Sequence, residues 1–554
     1  MANQLLGAVG FVGYNEQNFE AVNDMSYRDL AFYGSDSWKV TKRLTLDLGL
    51  RLDNYTPWRD DGGGTGLAVF LPGLFQGDLA ANSTHPGLRW NSIDSSIPNA
   101  GSPSKALLIS PRLGFAWDTF GTGKTILRGG WGAYHFHDSF NDFAGARSTA
   151  SGSVPFHTSV TTLAGLQTAA LTRVITGAFA VDPNDNEQPV TYSYNFTISQ
   201  QAPWKSIFEF AYVGNHSNHL AIEGNGQNVN TIPTGSLFVA GSGATAGCNV
   251  TCTIQNAGLG PFRPFGTGFG DNALDVTSHG GYANYNAIQA SWNKTKGPVT
   301  FGFNYTFSKA LGLCGTSQLN CALTDATNPL DSAHNYGPLS IDRSNVFNSS
   351  YQIEFGNFFH EFSPLVRRLM GGWTIAGITS FQSGPDMTSF SPNFNIQPTQ
   401  GDSTQPGFFS NRTILGTPDI LLQPVLLCDP TKNLGPHQFI NGSCFGVPGN
   451  GVTASSVNGN YRLPYIHGPA FVNSDLSLYK SFKITEKQSL QLRASAFNFL
   501  NHPLESFNPN DNTNLTLKFT QTSTGQFIQA NQDFGLADVK LGRRILELAV
   551  KYSF

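Results

Sequence analysis

The sequence predicts an all-β protein in which one antiparallel up-and-down sheet has an apolar face and a polar face. Three observations favour this class: the composition, the segments of alternating hydrophobicity, and the regular alternation of short and long connections. Only 13% of the 554 residues are Asp, Glu, Lys or Arg, against roughly 25% in an average globular protein. The 60 glycines and 43 phenylalanines suit many short strands joined by turns and polar loops.

The alternation is clearest in residues 43–54, where leucines occupy one face of a strand and polar residues or glycine occupy the other. Residues 299–308 repeat the pattern with Val299 and a row of aromatic residues, and Phe208, Phe210 and Tyr212 form a third apolar row. On this basis we predict about fourteen strands. They lie near residues 5–18, 29–40, 43–54, 107–119, 124–136, 190–200, 206–214, 284–293, 298–308, 344–355, 371–382, 471–482, 488–499 and 543–554.

The chain ends on a strand of the same kind. Leu546, Leu548, Val550, Tyr552 and Phe554 form an apolar row, and the residues between them are mostly polar. Terminal residues usually fray unless a sheet holds them. A chain that stops on an aromatic ring of an alternating strand therefore indicates that this strand belongs to the sheet.

Composition and charge exclude several other classes of protein. No run approaches the roughly 18 apolar residues of a membrane-spanning helix, and the most apolar stretch, 420–427, is interrupted by Gln423 and Pro424. The net charge of −4 gives no basic field, and no cluster of Lys and Arg accompanies the aromatic residues. We therefore expect neither helical membrane spans nor a nucleic-acid partner.

The connections between predicted strands alternate in length. Tight links lie at 41–42, 120–123, 201–205, 294–297 and 483–487, and 356–370 is a medium link on the same side. In an up-and-down sheet alternate links lie at opposite edges, and short periplasmic turns opposite long external loops are typical of transmembrane β-barrels of the bacterial outer membrane. The sequence therefore predicts this type of barrel over 1–554, with outer-membrane lipid around it. The external loops are expected near 55–106, 137–189, 215–283, 309–343, 383–470 and 500–542.

The six cysteines form three local couples, and all of them fall in predicted external loops. The spacing favours disulfides over a zinc site, because no couple has CxxC spacing. Free thiols remain an alternative. The candidate disulfide residues are Cys248 with Cys252, Cys314 with Cys321, and Cys428 with Cys444.

Tryptophans at the short-turn ends are consistent with an aromatic belt at a membrane surface. Trp38, Trp204, Trp292 and Trp373 all lie at or beside these ends. Simple alternation places Asp36 on the same face as Trp38. We therefore expect a bulge or a rim position at Asp36.

Several stretches of the chain resemble TonB-dependent receptors of the Oar-like type. The resemblance rests on residues 38–51, 110–117, 371–373 with 382–384, and 493–503 (RASAFNFLNHP), together with the terminal 552–554. These stretches cover nearly the whole chain in the order of that family. The resemblance implies an exported precursor with a carboxypeptidase-regulatory-like domain, a plug, and a barrel of about 22 strands.

Only the C-terminal part of that barrel matches, so we expect an incomplete barrel without a plug, from a truncated receptor or a gene fragment. A complete barrel of fourteen strands is the alternative, since an even number suits closure. No export signal follows Met1, which truncation also explains. In the family, the last strand carries the signal read by the barrel-assembly machinery, which implies this role for the apolar row that ends on Phe554.

The resemblance implies a transporter rather than an enzyme. External loops would capture an unknown scarce ligand, and the TonB complex would act through the missing plug to drive import. The alternatives are a passive channel and a surface scaffold for adhesion. No catalytic, cofactor-binding or metal-binding residue is predicted, and no cofactor is expected.

The remaining motifs are weak. Residues 121–125 (GTGKT) lack the first glycine of a phosphate-binding loop, because Asp118 occupies that position, and a hairpin turn is the better interpretation. The histidine pairs in 135–138 and 216–219 are expected to be solvated loop residues rather than metal ligands. Charged residues expected on the inner face mix both signs, which favours a wall of salt bridges over a path for one kind of ion. These residues are Asp47, Arg51, Asp53, Arg112, Asp118, Arg128, Glu209, Asp475, Arg493, Glu547 and Lys551.

Overall fold

The computed structural model describes most of the chain from residue 14 onward. The described residues are 14–17, 24–61, 65–105, 107–139, 141–150, 155–158, 165, 167–168, 170, 172–222, 228–238, 259–313, 328–331, 336–339, 341–355, 361–366, 371–385, 396–397, 414–420, 422–448, 458–459, 467–507, 513–524 and 526–554. Cys248, Cys252, Cys314 and Cys321 lie outside these residues, and so do 5–13 and 18 of the first predicted strand.

One large antiparallel sheet dominates the molecule, as the alternation predicts. Its long strands follow each other in chain order, and each pairs with its neighbours. They are β1 (Asp29–Lys39), β2 (Leu44–Tyr55), β3 (Leu108–Asp118), β4 (Thr125–His135), β5 (Val190–Ala202), β6 (Ser206–Ile222), β7 (Leu274–Lys294), β8 (Val299–Gly312), β9 (Asn345–Glu354), β10 (Trp373–Gln382), β11 (Phe471–Lys483), β12 (Ser489–Phe497) and β13 (Ile545–Ser553). The all-β antiparallel fold is therefore confirmed.

The first predicted strand, at 5–18, does not join this sheet through its described residues. Tyr14–Gln17 pairs instead with Pro155–Thr158, which in turn pairs with Thr172–Arg173. Residues 14–17 form a strand as predicted, but their expected place in the large sheet was wrong, because alternation cannot tell a strand of the large sheet from a strand in a loop. Thirteen long strands therefore replace the predicted fourteen among the described residues.

The large sheet is open. Within the described residues, β1 pairs only with β2, and β13 pairs only with β12. Both edge strands are exposed: Tyr33 of β1 is 80% exposed and Leu548 of β13 is 86% exposed. Because the number of strands is odd and every neighbour is antiparallel, β1 and β13 run in the same direction. Direct pairing of the two edges would therefore be parallel.

Short and long connections lie at opposite edges of the sheet, as predicted. We call these the short-turn edge and the long-loop edge. Turns of a few residues follow β1, β3, β5, β7 and β11. In the turn after β3, Gly121 and Gly123 have positive φ and the Asp118 carboxylate accepts both of their N–H groups. The 121–125 motif is thus a hairpin turn.

Two strands extend much farther toward the long-loop edge than predicted. β6 has 17 residues and β7 has 21 residues, and the pairing between them shifts register near Leu220. Ala178–Val181 adds to the extension by pairing in parallel with residues 274–277. The predicted loop 215–283 is therefore strand at both ends, because its polar residues, such as His216 and Asn218, did not suggest strand.

The long connections contain further short elements. The helices are α1 (Pro72–Ala80), α2 (Asn141–Ala150) and α3 (Gly266–Phe269). Among the described residues, none of the helices could span a membrane. Short strands lie at Met25–Ser26, Arg59–Asp60, Val69–Phe70, Leu88–Arg89, Gly337–Pro338, Ile396–Gln397, Val425–Leu426, Phe445–Gly446, Leu504–Ser506, Leu517–Gln521, Phe527–Gln529 and Val539–Leu541, and 3₁₀ turns lie at Pro203–Lys205, Ser236–Phe238, Gly260–Phe262, Gly442–Cys444 and Thr513–Leu515.

The most deeply buried apolar residues lie in the long connections rather than between the long strands. One core joins the loops after β2, β4 and β6, with Phe75 and Leu88 almost fully buried. A second core joins the loops after β10 and β12, with Leu517 and Phe519 at its centre. We call this folded layer at the long-loop edge the loop cap.

The expected bulge at Asp36 is absent. The register of β1 against β2 is continuous, and Asp36 lies opposite Leu48 on the same face as Trp38. Asp36 is exposed and lies near the end of β1 at the short-turn edge. The rim position is therefore the arrangement that the structure adopts.

Candidate functional site: the inner face and the loop cap

The two faces of the large sheet differ in polarity along continuous rows of paired residues. One row passes through Phe208, Trp292 and Phe303 on β6, β7 and β8. Another joins Phe210, Ala290 and Tyr305 in the same strands. Large side chains on this face are not covered by protein, since Phe210 is 43% exposed and Tyr305 40% exposed. We call it the outer face, and the opposite one the inner face.

The terminal strand follows the same division. Leu546, Leu548, Val550 and Tyr552 pair with Ala496, Ala494, Leu492 and Leu490 of β12 on the outer face. Phe554 follows the strand and is 93% exposed, with its ring 5.9 Å from that of Tyr552. This apolar row therefore lies on the outer face of an unpaired edge.

Charged residues on the inner face have partners within the sheet. Arg51 Nε lies 2.6 Å from Asp53 Oδ1. Arg128 Nη1 lies 3.7 Å from Glu209 Oε1, which also accepts a hydrogen bond from Ser199. These contacts support the wall of salt bridges over a path for one kind of ion.

The other predicted inner-face charges also lie on or beside this face. Arg112 and Arg493 stack on the rings of Tyr134 and Tyr479, at 4.6 Å and 5.2 Å. Asp475 accepts hydrogen bonds from the Asn473 side chain and the Asn498 backbone. The register also places Asp47, Glu547 and Lys551 on the inner face.

A hollow opens on the inner face near the short-turn edge. Its volume is about 630 Å³, and its lining includes Gly302, Ser350, Ala376 and Asp475 from β8, β9, β10 and β11. Gly302, Ser350 and Ala376 contribute little side-chain volume to its floor, and the larger side chains of Ile378 and Phe497 also line it. It is large enough for a small polar solute.

Aromatic rings line the short-turn edge. Trp204 adopts φ of 60° in the turn after β5 and lies 6.3 Å from Trp292. Trp292 also packs edge-on against Phe301 at 4.7 Å. Lys480 lies over the Trp373 ring at 5.5 Å. The predicted tryptophans are therefore brought to one edge, as an interfacial belt requires.

A buried ion pair joins the two parts of the loop cap. The Arg263 guanidinium contacts both carboxylate oxygens of Asp419, at 2.6 Å and 3.0 Å. The two side chains are only 7% and 16% exposed. Asp419 also accepts the Ile232 N–H, and the Arg263 guanidinium donates to the Asn230 carbonyl. The loop after β6 is thereby tied to the loop after β10.

His279 forms a second buried connection, near the start of β7 at the long-loop edge. Its Nδ1 lies 2.8 Å from Asp185 and its Nε2 2.8 Å from Asp138. Burial lowers the pKa of the ring, but the hydrogen bonds to the two carboxylates outweigh it and raise the pKa to about 10. His279 is therefore a protonated bridge between carboxylates of the loop after β4.

The two histidine pairs were expected in solvated loops, but His135 ends β4, and His216 and His219 lie within β6. Several of these histidines contact other protein groups. His135 hydrogen-bonds Ser110, and His137 lies 2.7 Å from Asp29. His137 also packs against Tyr27, with ring centroids 3.9 Å apart. His219 lies 3.8 Å from Glu187. The described part of the chain contains no group of three potential ligands arranged for a metal ion.

One cysteine couple is joined. Cys428 and Cys444 form a disulfide across a sequence separation of 16 residues, with Cα atoms 4.8 Å apart. Cys444 is buried beside Phe445 in the second cap core. The bond therefore closes the segment that carries much of this core.

The comparison with protein families decides what kind of sheet this is. Residues 1–545 match the model of the outer membrane beta barrel domain. The chain belongs to this family. It is a membrane protein of the bacterial outer membrane, and the outer face of its sheet is the lipid-facing one.

The chain is also similar to solved structures of transporters and receptors. One is the outer membrane transporter YddB from Escherichia coli, with a TM-score of 0.41 and 10% identity over 95% of this chain and 45% of that one. Another is the ferric-catecholate import receptor Fiu from E. coli, with a TM-score of 0.38 and 12% identity over 95% of this chain and 45% of that one. A third is the siderophore receptor PirA from Acinetobacter baumannii, with a TM-score of 0.37 and 10% identity over 95% of this chain and 46% of that one. The chain thus spans about half the length of these structures. No curated protein matches the sequence.

Sequence reasoning found the faces of this outer membrane β-barrel chain but missed the residues that organise the cap. Arg263 and Asp419 are 156 positions apart, and His279 is 94 positions from Asp185. Neither pair has a spacing that a pattern could detect. A weak signal existed for Asp275, an acid within an apolar segment: it is 6% exposed, and burial raises its pKa to about 6.

Proposed function

We propose that this chain is the C-terminal part of the barrel of a TonB-dependent receptor of the Oar-like type. In the complete receptor, the loop cap captures a scarce external ligand, and energy-coupled movement of a plug admits it to the lumen. TonB acts through that plug and not through the strands described above. The observation that carries the proposal is the folded loop cap at the long-loop edge.

The cap supports capture because it is a preorganised surface. Its loops are held by two hydrophobic cores, by the Arg263–Asp419 pair and by the Cys428–Cys444 disulfide. Loops fixed in this way lose little conformational entropy when a ligand binds. A passive channel needs only a constriction at its mouth, so this amount of packing favours a receptor.

The open edges support a larger barrel. Since β1 and β13 run in the same direction, an antiparallel closure requires an odd number of further strands between them. Outer-membrane barrels are antiparallel and closed. We therefore infer that further barrel strands lie between the two edges, and that the thirteen strands do not close alone.

The orientation follows from the lengths of the connections. Outer-membrane barrels have short periplasmic turns and long external loops, so we place the cap outside and the turns after β1, β3, β5, β7 and β11 in the periplasm. The terminal row then reaches the periplasmic side with Phe554. There the barrel-assembly machinery would recognise it during insertion.

Epitope insertion in intact cells tests the orientation. An epitope placed after Lys432 lies in an exposed segment of the cap, and one placed after Glu486 lies in the turn between β11 and β12. We expect antibody to label the first only, and both after the outer membrane is permeabilised. Labelling of the second epitope in intact cells would reverse the orientation and contradict the capture of external ligand.

Uptake measurements test the receptor function. Cells expressing the complete receptor are given candidate ligands with and without a protonophore, and in the presence and absence of TonB. Energy-coupled import predicts that accumulation stops in both treatments while binding to the cell surface continues. Accumulation that persists in both indicates a passive channel, and surface binding without any accumulation indicates an adhesion scaffold.

A further inference from the structure

Seven cations gather in four neighbouring turns of the short-turn edge. The turns follow β1, β3, β5 and β7. Counted from the last residue of each of these strands to the start of the next strand, they contain seven Lys and Arg residues and one acid, Asp118. We call the seven cations the basic arc. They are Lys39, Lys42, Arg43, Lys124, Lys205, Lys294 and Lys296.

The positive charge is concentrated in this arc. Residues 354–372, around the medium link after β9, carry two acids and two arginines, and residues 483–488, after β11, carry two lysines and one acid. The whole chain has a net charge of −4, so the remainder of the chain is negative. The arc is therefore not the result of a generally basic composition.

The four turns of the arc are joined to each other. The Arg43 carbonyl accepts the Asp118 N–H at 2.8 Å, which connects the turn after β1 with the end of β3. The Lys124 carbonyl accepts the Gln201 N–H at 2.7 Å, which connects the turn after β3 with the end of β5. Two tryptophan rings 6.3 Å apart connect the turn after β5 with the end of β7. The cations therefore form one continuous surface.

The cations of the arc are not neutralised within the protein. Among the residues that the structure describes, none of the seven forms an ion pair with Asp or Glu. The Asp118 carboxylate instead accepts the N–H groups of Gly121 and Gly123. A single exposed lysine needs no partner, but a row of cations with one acid creates a positive potential that attracts anions.

Exposed aromatic rings lie beside these cations. Trp38 directly precedes Lys39, and Trp204, which is 71% exposed, directly precedes Lys205. Phe120 is 65% exposed in the turn after β3. At a membrane surface, such rings lie at the level of the headgroups and the flexible lysine side chains reach the charged groups above them. Rings and cations in the same turns therefore favour a lipid surface over a free anion.

We propose that the basic arc binds the headgroups of anionic phospholipids, such as phosphatidylglycerol, in the periplasmic leaflet of the outer membrane. The exposed rings contact the lipid below the phosphate, and the Lys and Arg side chains contact the phosphate oxygens. A fluid leaflet supplies a separate headgroup to each cation, so no single anion has to reach several of them. This inference rests on the proposed orientation and adds a headgroup class to the lipid that surrounds the barrel.

The size of the effect follows from the charge of one side chain. A Lys or Arg residue close to an anionic lipid surface strengthens binding about fivefold. This attraction is screened by salt, since the Debye length falls from about 10 Å at 0.1 M to about 3 Å at 1 M ionic strength. The arc should therefore prefer anionic over zwitterionic lipid about fivefold at low salt and lose this preference at high salt.

Quenching of tryptophan fluorescence by brominated lipid measures this preference. The full-length protein is purified from the outer membrane and reconstituted into bilayers of phosphatidylcholine that contain brominated phosphatidylglycerol or brominated phosphatidylcholine. Trp38, Trp204, Trp292 and Trp373 lie at the short-turn edge, so the quenching reports on the lipids there. We expect phosphatidylglycerol to associate about fivefold more strongly than phosphatidylcholine at about 0.1 M sodium chloride, and equally at about 1 M.

Two quadruple variants with the same change of net charge test where the lipid binds. The arc variant replaces one exposed lysine in each of the four turns by glutamine, and it should lower the preference to less than about twofold. The cap variant replaces four exposed cations of the loops after β10 and β12, and it should keep the fivefold preference. The arc variant carries Lys42→Gln, Lys124→Gln, Lys205→Gln and Lys296→Gln, and the cap variant carries Lys432→Gln, Lys518→Gln, Lys540→Gln and Arg543→Gln.

A third variant separates charge from the conformation of the turns. It replaces the same four lysines of the arc by arginine, which keeps the charge, and it should retain the fivefold preference. Inorganic phosphate, added at constant ionic strength, should not change the preference of the parent protein. A preference that phosphate removes and chloride does not would indicate a site for free phosphate and overturn the assignment to lipid.

The remaining outcomes are also distinct. Equal quenching of the parent by the two brominated lipids overturns the proposal, and so does a preference that persists at about 1 M salt. Equal loss in the arc and cap variants, or loss in the arginine variant, overturns the role of the arc cations. None of these results affects the receptor proposal, which depends on epitope labelling and uptake in cells. Reversed epitope labelling would refute that proposal, while the preference for phosphatidylglycerol in bilayers would remain.

Discussion

The buried ion pair of the loop cap allows a quantitative prediction for the variant Arg263→Met. This change leaves the Asp419 carboxylate with the Ile232 N–H but without its guanidinium partner. Breaking a buried pair by removing one partner costs about 3–5 kcal/mol. Because Asp419 is 16% exposed, we take the lower value of about 3 kcal/mol. This free energy corresponds to roughly a hundredfold increase in local opening of the cap.

Hydrogen exchange at the contact between the two loops measures this opening. The Gly235 and Leu237 amides donate to Leu415 and Gly416 across the contact, at 2.7 Å and 2.9 Å. In Arg263→Met these amides should exchange roughly a hundredfold faster, and amides within the long strands should not change. The matched control is Lys105→Met, which breaks the Lys105–Glu187 pair.

The control pair is suited to this comparison because its side chains are 39% and 36% exposed. Exposed ion pairs contribute only about 0–1 kcal/mol, so Lys105→Met should change the same exchange rates by severalfold at most. The reasoning fails if Arg263→Met leaves Gly235 and Leu237 protected. It also fails if the strand amides accelerate to the same extent, because the pair would then support the whole sheet and not the cap.

Three further predictions concern pH, the disulfide and the two faces. Burial raises the pKa of Asp275 from 3.8 to about 6, so the cap loses stability as pH rises from about 4 toward about 6. Asp275→Asn should therefore stabilise the cap at pH 8 by about 3 kcal/mol, and equal hydrogen exchange in both proteins at pH 8 would contradict this. Reduction of the 16-residue Cys428–Cys444 link should destabilise its segment by about 3 kcal/mol, seen as faster proteolysis within 428–448, and unchanged proteolysis would refute it. Ile288→Arg on the lipid-facing side should destabilise the folded barrel by about 2–4 kcal/mol and so lower the amount of folded protein in the outer membrane. The adjacent Gln289→Arg, on the inner face, should not, and an equal loss in both variants would contradict the assignment of faces.

Much of the large sheet could be predicted from the sequence. The predicted strand at 43–54 corresponds to Leu44–Tyr55, and the one at 471–482 to Phe471–Lys483. These limits were accessible because a strand between lipid and a polar interior alternates at every second residue. The same pattern gave no information at Tyr14–Gln17, where a short strand pairs within the cap instead of the sheet.

The candidate site was far less predictable. The two parts of the loop cap are joined by Arg263 with Asp419, and His279 bridges Asp138 and Asp185. None of these residues belongs to a local motif. Burial turns an ordinary arginine or histidine into a residue that organises the cap, and burial in a loop depends on the packing of distant segments.

The sequence by itself determined the β class, the two faces of the strands, and the alternation of turns and loops, because these properties repeat over short distances along the chain. Only the tertiary structure decided how the loops pack into a cap and that the two edge strands run in the same direction. These properties depend on contacts between residues as far apart as Arg263 and Asp419, which are separated by 156 positions. No local pattern of hydrophobicity specifies such contacts.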